Sequence, residues 1–355
     1  MVSLEHAKHL ANKGHDITFV TIRPGSIRQA YSRQYLNVKE AYSGTIQFIE
    51  IDQQPEAEFW YGIDPGENRD RWNVESLYLN RSLFVWLESS EQVYDVMLSY
   101  YKLDAVTIPR HKVKVSALYL CGMPHEQNTF MSSFLAMYDK IVAITDEVRE
   151  YWQQYTALTV YVVPTGVDAE RFKPRAKGDK RIRVLFIGRL IERKGADALI
   201  EACGLLPDEI KKITSVMIIG DGPQLCELRK LVNATGISGM VQFIGKTDEP
   251  EKYLATADIC VFPSRYGEGL QGVVLESMAS GAYTIVSNTE INRLLIGDGR
   301  GALIDPNSTQ QIADAIVKAV TNGAHRTVVH DLSIEYVRMN YNWAQIVDRL
   351  MERVR

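Results

Sequence analysis

The sequence predicts an α/β fold made of two Rossmann-like domains, each built on a parallel sheet. The chain has 355 residues, and one hydrophobic core rarely serves more than about 250–300 residues, which favours two domains. Along most of the chain, short runs rich in β-branched residues alternate with helical stretches. Strands that helices separate in this way pair in parallel through right-handed crossovers.

The alternation is most regular in the second half of the chain. Its strand runs are apolar on both faces, which is typical of strands that helices cover on both sides. The predicted strands are residues 183–187, 216–219, 241–244, 259–263, 283–287 and 302–304. The predicted helices are residues 196–206, 223–234, 249–257, 273–280 and 309–320.

The first half of the chain follows the same alternation less regularly. A helix over residues 4–12 ends before Gly14, which suits a helix C-terminus. The predicted strands are residues 17–22, 46–51, 105–108, 115–120, 141–144 and 161–163. A long stretch between residues 56 and 101 is rich in aromatic residues and is predicted to be mostly helical. Its aromatic side chains either pack against the sheet or offer a surface to a sugar or lipid acceptor.

A domain boundary is predicted at residues 165/166, within a segment rich in proline and cationic residues. The segment 163–183 is typical of a solvated linker, and attraction to anionic lipid headgroups is the alternative. The predicted domains are residues 1–165 and 166–340.

Composition excludes several classes of function. The net charge of -4 argues against nucleic acid as the main partner, because phosphate binding needs a basic footprint. No apolar run approaches the ~18 residues of a membrane span, and the N-terminus does not resemble a signal peptide, so a cytoplasmic protein is expected. The four cysteines form no CxxC pair and are interpreted as single thiols, mostly buried. His6 and His9 share a helix face and are interpreted as a surface pair rather than a metal site.

Glycines and charged residues follow successive strands of the second half. The carboxyl ends of parallel strands meet at one edge of the sheet, where open α/β sheets bind ligands. Each residue alone is typical of a turn or a surface, but their order on one side of the sheet predicts a site for a nucleotide diphosphate. The residues are Gly188, Arg189, Lys194, Gly220, Asp221, Gly222, Lys246, Glu268, Gly269, Leu270, Gln271, Gly272 and Glu276.

Roles for the charged residues follow from their chemistry. Arg189 and Lys194 flank a strand-to-helix turn, so a guanidinium fork and an ammonium group can reach one diphosphate together. The helix that opens near Gly272 offers free backbone N–H groups and the positive end of its dipole. Glu276, about one turn into that helix, can accept both hydroxyls of a ribose. Glu268 is placed to contact hydroxyls of a donor sugar.

Four motifs resemble those of the retaining glycosyltransferases of the GT-B fold, family 4, also called glycosyl transferases group 1. They are Val-Pro-Thr-Gly-Val-Asp at 163–168, Ile-Gly-Arg-Leu at 187–190 with Lys194-Gly195, Ile-Gly-Asp-Gly-Pro at 219–223, and Pro263-Ser264 followed by Glu268 to Glu276. The resemblance covers nearly all of the chain and is strongest over residues 160–305. It implies two domains that face each other across a cleft and a hexosyltransferase that retains anomeric configuration. The donor would be a UDP- or GDP-sugar, and the acceptor a glycan or lipid-linked glycan in polysaccharide or glycoconjugate biosynthesis.

The resemblance also implies roles for individual residues. No metal or other cofactor is expected, because Arg189 and Lys194 would stabilise the departing diphosphate, and the sequence contains no Asp-x-Asp motif. The final helix, residues 341–355, would pack back on the first domain, and peripheral contact with the inner face of a membrane stays open. His125 is the best match for a histidine that contacts the donor sugar, and a structural loop histidine is the alternative. The chain departs from the family pattern at Thr165, Leu270-Gln271 and Tyr283, and none of these departures removes a charge.

The largest departure is at the start of the chain. Family members have a strand and a glycine-rich loop before the helix that ends in Gly-His, whereas this sequence reaches Gly14-His15 at once. The first domain is therefore expected to lack its first strand, which is central in the family's sheet. Two ladders of backbone groups would then lack a partner, so either the chain is incomplete or something else fills the gap. An inactive or weakly active relative that serves as a binding or partner subunit is one alternative function, and a sugar-nucleotide epimerase is another.

Overall fold

The computed structural model describes residues 2–23, 33–52, 79, 81–100, 108–123, 131–175, 181–266 and 270–355. The chain forms two compact units. The first unit is residues 1–163 together with 346–355, and the second unit is residues 164–345. The sequence predicted the domain boundary at 165/166, slightly after the observed boundary at 163/164. It predicted that the segment returning to the first domain starts at residue 341, slightly before the observed start at Ile346.

The second unit is built on a six-stranded sheet in which all neighbouring strands are parallel. The strand order across the sheet is β12-β11-β10-β7-β8-β9. The strands are β7 (Ile182–Ile187), β8 (Thr214–Ile219), β9 (Val241–Gly245), β10 (Ile259–Phe262), β11 (Tyr283–Ser287) and β12 (Gly301–Ile304). Each one overlaps a strand that the sequence predicted, so the predicted parallel α/β architecture is confirmed.

Helices follow the strands of this sheet and bury its two faces. They are α5 (Ala196–Gly204), α6 (Asp208–Ile213), α7 (Leu225–Ala234), α8 (Pro250–Leu254), α9 (Gly272–Ala279), α10 (Glu290–Ile296), α11 (Thr309–Thr321) and α12 (Gly323–Asn340). Helix α5 packs against α7 and α11, and α9 packs against α8 and α12. Ser308 and Asn322 cap α11 and α12 by accepting from free backbone amides of the first turn.

The first unit contains two separate sheets among the residues that the structure describes. Strands β1 (Ile17–Ile22) and β2 (Ile46–Ile51) form a parallel pair. Strands β3 (Tyr94–Ser99), β4 (Val113–Leu120), β5 (Lys140–Ala143) and β6 (Val160–Val162) form a parallel sheet in that order. The helices are α1 (Val2–Asn12), α2 (Arg33–Tyr42), α3 (Met131–Leu135), α4 (Asp146–Gln153) and, at the C-terminus, α13 (Trp343–Val354).

One strand of the first unit lies where the sequence analysis predicted helix. Strand β3 falls inside the aromatic stretch 56–101 and pairs with β4 from Tyr94↔Val113 to Ser99↔Leu118. Every second residue of the strand is large and apolar or aromatic, at Tyr94, Val96 and Leu98. This alternation is short and follows many aromatic residues, so it was not recognised as a strand pattern. The predicted strand 105–108 lies outside the described residues except for Ile108, which is not in a strand.

The interpretation of His6 as a surface residue is wrong. The His6 side chain is 1% exposed and its Nδ1 shares a hydrogen bond with the Tyr100 hydroxyl. Its ring packs edge-on against Tyr119, with centroids 5.1 Å apart. Burial is the main cause that lowers the pKa of His6 to about 3, and the positive charges of His9 and the N-terminus contribute to this shift. The ring is therefore neutral in the folded unit near pH 7.

The cysteines divide into two buried and two exposed residues. Cys203 and Cys260 are fully buried, and burial raises the pKa of each thiol to about 12. Cys121 and Cys226 reach the surface, although partial burial of its thiol raises the pKa of Cys121 to about 11. Separately, none of the helices described is both long enough and apolar enough to cross a bilayer.

Candidate functional site

The second unit has a topological switch point between β7 and β10. From β7 the chain order runs outward through β8 and β9, and from β10 it runs the other way through β11 and β12. Ligands of open α/β sheets bind beyond the carboxyl ends of the strands at such a point, because the two following loops diverge there. Arg189 and Lys194 follow β7, and the segment from Leu270 to Glu276 follows β10, so the sequence-predicted residues flank the switch point.

The loops after β7 and β8 are held together by backbone hydrogen bonds. The amide of Leu190 donates to Asp221 O at 2.9 Å, and the amide of Gln224 donates to Leu190 O at 3.1 Å. A Cβ atom on Gly220 would lie 1.8 Å from Gly188 O, and one on Gly222 would lie 2.4 Å from Leu190 O. These two positions therefore require glycine for close approach.

The carboxyl end of β9 joins the same cluster of loops. The amide of Gly220 donates to Gly245 O at 2.9 Å, which places Lys246 next to the glycine turn that follows β8. The Lys246 side chain is exposed. Asp221 is also exposed, and its Oδ1 accepts from the amide of Gly222 at 2.8 Å, so this carboxylate shapes the turn.

Lys194 ends a short 3₁₀ turn, Glu192–Lys194, that leads into α5. Gly195 follows in the left-handed region with φ of 71°, and a Cβ atom there would lie 2.1 Å from Pro263 O. The turn therefore packs directly on the chain that leaves β10. The aliphatic stem of Lys194 passes 3.9 Å from the Cβ position of Gly188, while Arg189 is exposed beside it.

Arg265 fixes this turn to the loop after β10, and sequence reasoning did not find it. Its Nη1 and Nη2 donate to the two carboxylate oxygens of Asp197 at 3.0 and 2.6 Å. Its Nη1 also donates to Glu192 O at 2.5 Å, and its backbone amide donates to Arg193 O at 2.8 Å. The hydrogen bond to Asp197 raises the pKa of Arg265 above its usual value. The partners are 68 positions apart, so no local pattern in the sequence reveals the pair.

Helix α9 begins at the switch point, at Gly272. Gln271 is its N-cap residue and makes no side-chain hydrogen bond to the helix. Oε1 of Glu276 lies 4.0 Å from the Cβ position of Gly272, so the carboxylate is turned back towards the start of the helix. A negative charge is stabilised there by the helix dipole. Leu270 and Gln271 are buried, which anchors the chain just before the helix.

Three sequence-predicted site residues, Glu268, Gly269 and His125, lie outside the described residues. Of the other predicted site residues, Gly272 and Glu276 lie in helix α9, and the rest lie in the segments that follow β7, β8, β9 and β10. Among the residues that the structure describes, no group of three His, Cys, Asp or Glu side chains is arranged to hold a metal ion.

A comparison with protein families identifies this region. Residues 167–332 match the family model described as glycosyl transferases group 1. This segment is a glycosyl transferases group 1 domain. The group 1 domain contains β7 to β12 and every described residue of the candidate site.

Several curated proteins have sequences similar to that of this chain. The chain is 30% identical over 220 residues to a GDP-mannose-dependent alpha-(1-6)-phosphatidylinositol monomannoside mannosyltransferase of Mycobacterium tuberculosis. That match covers 56% of this chain and 56% of the relative, so it spans little more than half of either protein. The chain is also 27% identical over 266 residues to the lipopolysaccharide core biosynthesis glycosyltransferase LpsE of Rhizobium meliloti, covering 73% of this chain and 75% of that protein.

Solved structures resemble the chain over nearly its whole length. Anabaena HepE in complex with UDP and glucose has a TM-score of 0.76 at 15% identity, covering 98% of this chain and 95% of HepE. Sucrose-phosphate synthase from Thermosynechococcus elongatus has a TM-score of 0.75 at 18% identity, covering 98% and 90%. At these identities the likeness shows the fold, which is the GT-B fold.

Proposed function

We propose that this protein is a retaining glycosyltransferase of the family 4 type. It moves a hexose from a UDP- or GDP-sugar to a glycan or lipid-linked acceptor, in polysaccharide or glycoconjugate biosynthesis. The observation that carries the proposal is the meeting of Arg189, Lys194 and the N-terminus of α9 at the switch point of a group 1 domain. Two proteins of similar sequence, a GDP-mannose-dependent mannosyltransferase and a lipopolysaccharide core biosynthesis glycosyltransferase, support this choice of donor and acceptor.

The donor is held by its nucleotide half in this proposal. The first amides of α9 face the diphosphate, since helix N-termini bind phosphate oxygens. Arg189 adds a fork of donors, and Lys194 adds a compact positive charge. The Glu276 carboxylate accepts from the hydroxyls of the ribose, while the backbone near Lys246 borders the base.

The chemical step is a displacement at the anomeric carbon of the donor sugar. The bond from that carbon to the phosphate oxygen breaks, and the acceptor hydroxyl forms its new bond on the same face. A phosphate oxygen of the departing diphosphate takes the hydroxyl proton. Arg189 and Lys194 stabilise the negative charge that develops on the diphosphate, so the proposal includes no metal. Glu268 and His125 are proposed to contact the donor sugar. The reaction takes place in the cytoplasm, at the inner face of the membrane where the acceptor is lipid-linked.

Donor binding is tested by thermal shift and calorimetry with UDP, GDP, ADP and their common sugars, with and without EDTA. A ligand at 100 times its dissociation constant stabilises the folded state by about 2.7 kcal/mol, which raises Tm by several degrees. We expect one base to produce this rise regardless of EDTA. Glu276→Gln should weaken binding at least tenfold, whereas Glu209→Gln on the exposed surface of α6 serves as a matched control and should bind normally. If no nucleotide shifts Tm, the donor site does not exist.

Transfer is tested separately with the nucleotide that binds. Single substitutions Arg189→Ala and Lys194→Ala should lower kcat by about 10²–10³, the usual cost of one lost electrostatic stabiliser, with a smaller change in KM. Transfer at the wild-type rate by Lys194→Ala would remove that residue from the mechanism. The anomeric configuration of the product, read by NMR, decides between retention and inversion.

A second candidate function is a binding or partner subunit without its own turnover. The described residues of the first unit form two separate sheets, and this favours the second function because the sheet on the acceptor side is then interrupted. Turnover of any sugar nucleotide eliminates this function. Nucleotide binding without turnover, across a panel of glycan and lipid-linked acceptors, supports it.

A further inference from the structure

One aromatic side chain in the described part of the chain is largely exposed, and it lies at the candidate site. The sequence contains 5 Trp, 18 Tyr and 10 Phe residues. Of those that the structure describes, only Tyr266 is exposed, with 57% of its surface open to solvent, and the others are buried or half-buried. Aromatic rings are favoured where a ligand or partner covers them, because they bring a large apolar area to the contact. The Tyr266 ring is therefore available to a ligand.

The backbone that carries this ring is held in place just before it. The guanidinium of Arg265 is bound by the Asp197 carboxylate at 2.6 and 3.0 Å, and the carbonyl oxygen of Ser264 accepts from Ser287 Oγ at 2.6 Å. Within the described ranges, no residue hydrogen-bonds to the Tyr266 hydroxyl or stacks on its ring. The backbone thus presents the side chain in advance, which lowers the entropy lost when a ligand binds to it.

Tyr266 lies on the sugar side of the proposed donor site. It follows β10, whereas Lys246 follows β9, and strands β7 and β8 lie between these two strands. The corresponding three strand spacings amount to about 14 Å. A base that borders the backbone near Lys246 is therefore too far away to stack on Tyr266. In the proposed binding mode the diphosphate lies between them, beside Arg189 and Lys194, so the group that reaches the chain after β10 is the sugar.

We propose that the transferred hexose of the donor stacks on the Tyr266 ring. This inference rests on the proposed function, because it adds a residue to the same donor site. A pyranose has C–H groups on its faces, and the negative face of an aromatic ring attracts them while the sugar hydroxyls remain free to form hydrogen bonds. Glu268, which is proposed to contact those hydroxyls, follows two positions later in the sequence. One loop then supplies both the apolar and the polar contacts of the sugar.

The test compares nucleotide sugars with their bare nucleoside diphosphates, by calorimetry on the full chain. The probes are UDP-glucose, UDP-galactose and UDP-N-acetylglucosamine against UDP, and GDP-mannose against GDP. In Tyr266→Ala, affinity for the nucleotide sugar should fall about three- to tenfold, which is typical of one lost aromatic contact, while affinity for the bare diphosphate stays within about twofold. Tyr266→Phe keeps the ring and should bind both ligands as the unmodified protein does.

Leu205→Ala is the matched control. Leu205 is 54% exposed and directly follows α5, a helix that starts at the carboxyl edge of the sheet and ends at the opposite edge, so this change should alter neither affinity. Undiminished binding of nucleotide sugars by Tyr266→Ala overturns the proposal. So does an equal loss for nucleotide sugar and bare diphosphate, because the ring would then contact the base or the diphosphate.

The unmodified protein separates this inference from the proposed function. If it binds a nucleoside diphosphate and only the Tyr266→Ala result disagrees, the stacking inference alone is wrong. If it binds no nucleoside diphosphate, the proposed function is wrong, and the inference that rests on it is wrong too.

Discussion

Two glycines set the spacing of the loops at the candidate site. Gly220 and Gly222 let the turn after β8 lie against the backbone of Gly188 and Leu190. Their φ angles of 141° and 159° lie in a region that other residues rarely adopt. The exposed charged residues of the site therefore belong to loops whose backbones are held in place by direct backbone-to-backbone contacts.

Replacement of Gly220 by alanine should destabilise the second unit and weaken nucleotide binding together. The new Cβ would lie 1.8 Å from Gly188 O, so the loop after β7 must move, at a cost of about 1–3 kcal/mol. Urea unfolding measures the stability loss, and calorimetry measures the affinity. Gly239→Ala is the matched control, because its Cβ would have no neighbour within 4 Å. Equal effects of the two substitutions would contradict this account of the loop.

His6 should make the stability of the first unit depend on pH. Burial lowers its pKa from 6.5 to about 3, so between these values the unfolded chain binds a proton that the folded chain does not. The contribution of the neutral His6 ring to the free energy of unfolding is therefore fully present above pH 6.5. It decreases as the pH falls towards 3, by up to about 1.4 kcal/mol per pH unit.

The measurement for His6 is a series of urea melts between pH 4 and pH 8. The melts give the slope of the free energy of unfolding against pH. In His6→Gln, the part of this slope that is due to the His6 ring should disappear. His111→Gln is the control, since the His111 side chain is 62% exposed, and its slope should match that of the unmodified protein. An unchanged slope in His6→Gln would show that other groups cause the acid sensitivity.

At the scale of elements, Arg265 connects the loop after β10, to which it belongs, to the turn after β7. The pair with Asp197 joins the start of α5 to the chain that leads into α9. Each half of the candidate diphosphate site thus depends on the other for its position. Lys194 and the N-terminus of α9 are held in register by a residue that need not touch the donor.

Asp197→Ala should loosen this connection. The partly exposed pair contributes about 0.5–1 kcal/mol to stability, so the unit should stay folded while its affinity for the nucleotide falls about three- to tenfold. Calorimetry checks the affinity, and a thermal melt checks the fold. Asp208→Ala, an 84% exposed carboxylate in a weak ion pair with Lys211, is the control that should leave affinity unchanged. An unaltered affinity in Asp197→Ala would limit Arg265 to a structural role.

The sequence predicted the elements whose burial is continuous and missed those that depend on distant partners. Strand β10 is apolar along its length and β8 is apolar from Val216 onward, so the local pattern was sufficient to predict them. Strand β3 has an intermediate burial pattern and is stabilised by its register with β4, which one short segment does not reveal. The part of the candidate site made of glycines and charged residues that directly follow strands could be predicted from the sequence. The Arg265–Asp197 pair and the burial of His6 arise from contacts across 68 and 94 positions, and both were missed.

At the scale of the whole molecule, the second unit carries its own core and its own connections. The amide of Val167 donates to Tyr341 O at 2.8 Å, and the Trp343 ring lies against Gly166, 2.6 Å from where a Cβ would be. The start and the end of the unit are thereby joined within it. Because its first and last residues contact each other, the second unit, residues 164–345, makes its main connections within itself.

The fragment 164–345 should therefore fold cooperatively by itself and bind the same nucleotide as the full chain, within about threefold in affinity. Circular dichroism melts and calorimetry test this. The shorter fragment 167–332 retains the family-matched residues but lacks Tyr341 and Trp343, so it should melt at a lower temperature. A fragment 164–345 that aggregates or unfolds gradually would show that the second unit needs the first.

The distribution of thiols makes the protein suitable for direct labelling. Maleimides react with thiolates, and the raised pKa values of Cys203, Cys260 and Cys121 keep these three thiols protonated near pH 7. Cys226 is exposed in the first turn of α7, directly after the glycine turn that follows β8. A single dye attached there would report on the loop at the candidate diphosphate site, so ligand titrations could be followed by fluorescence in the protein with its natural cysteines.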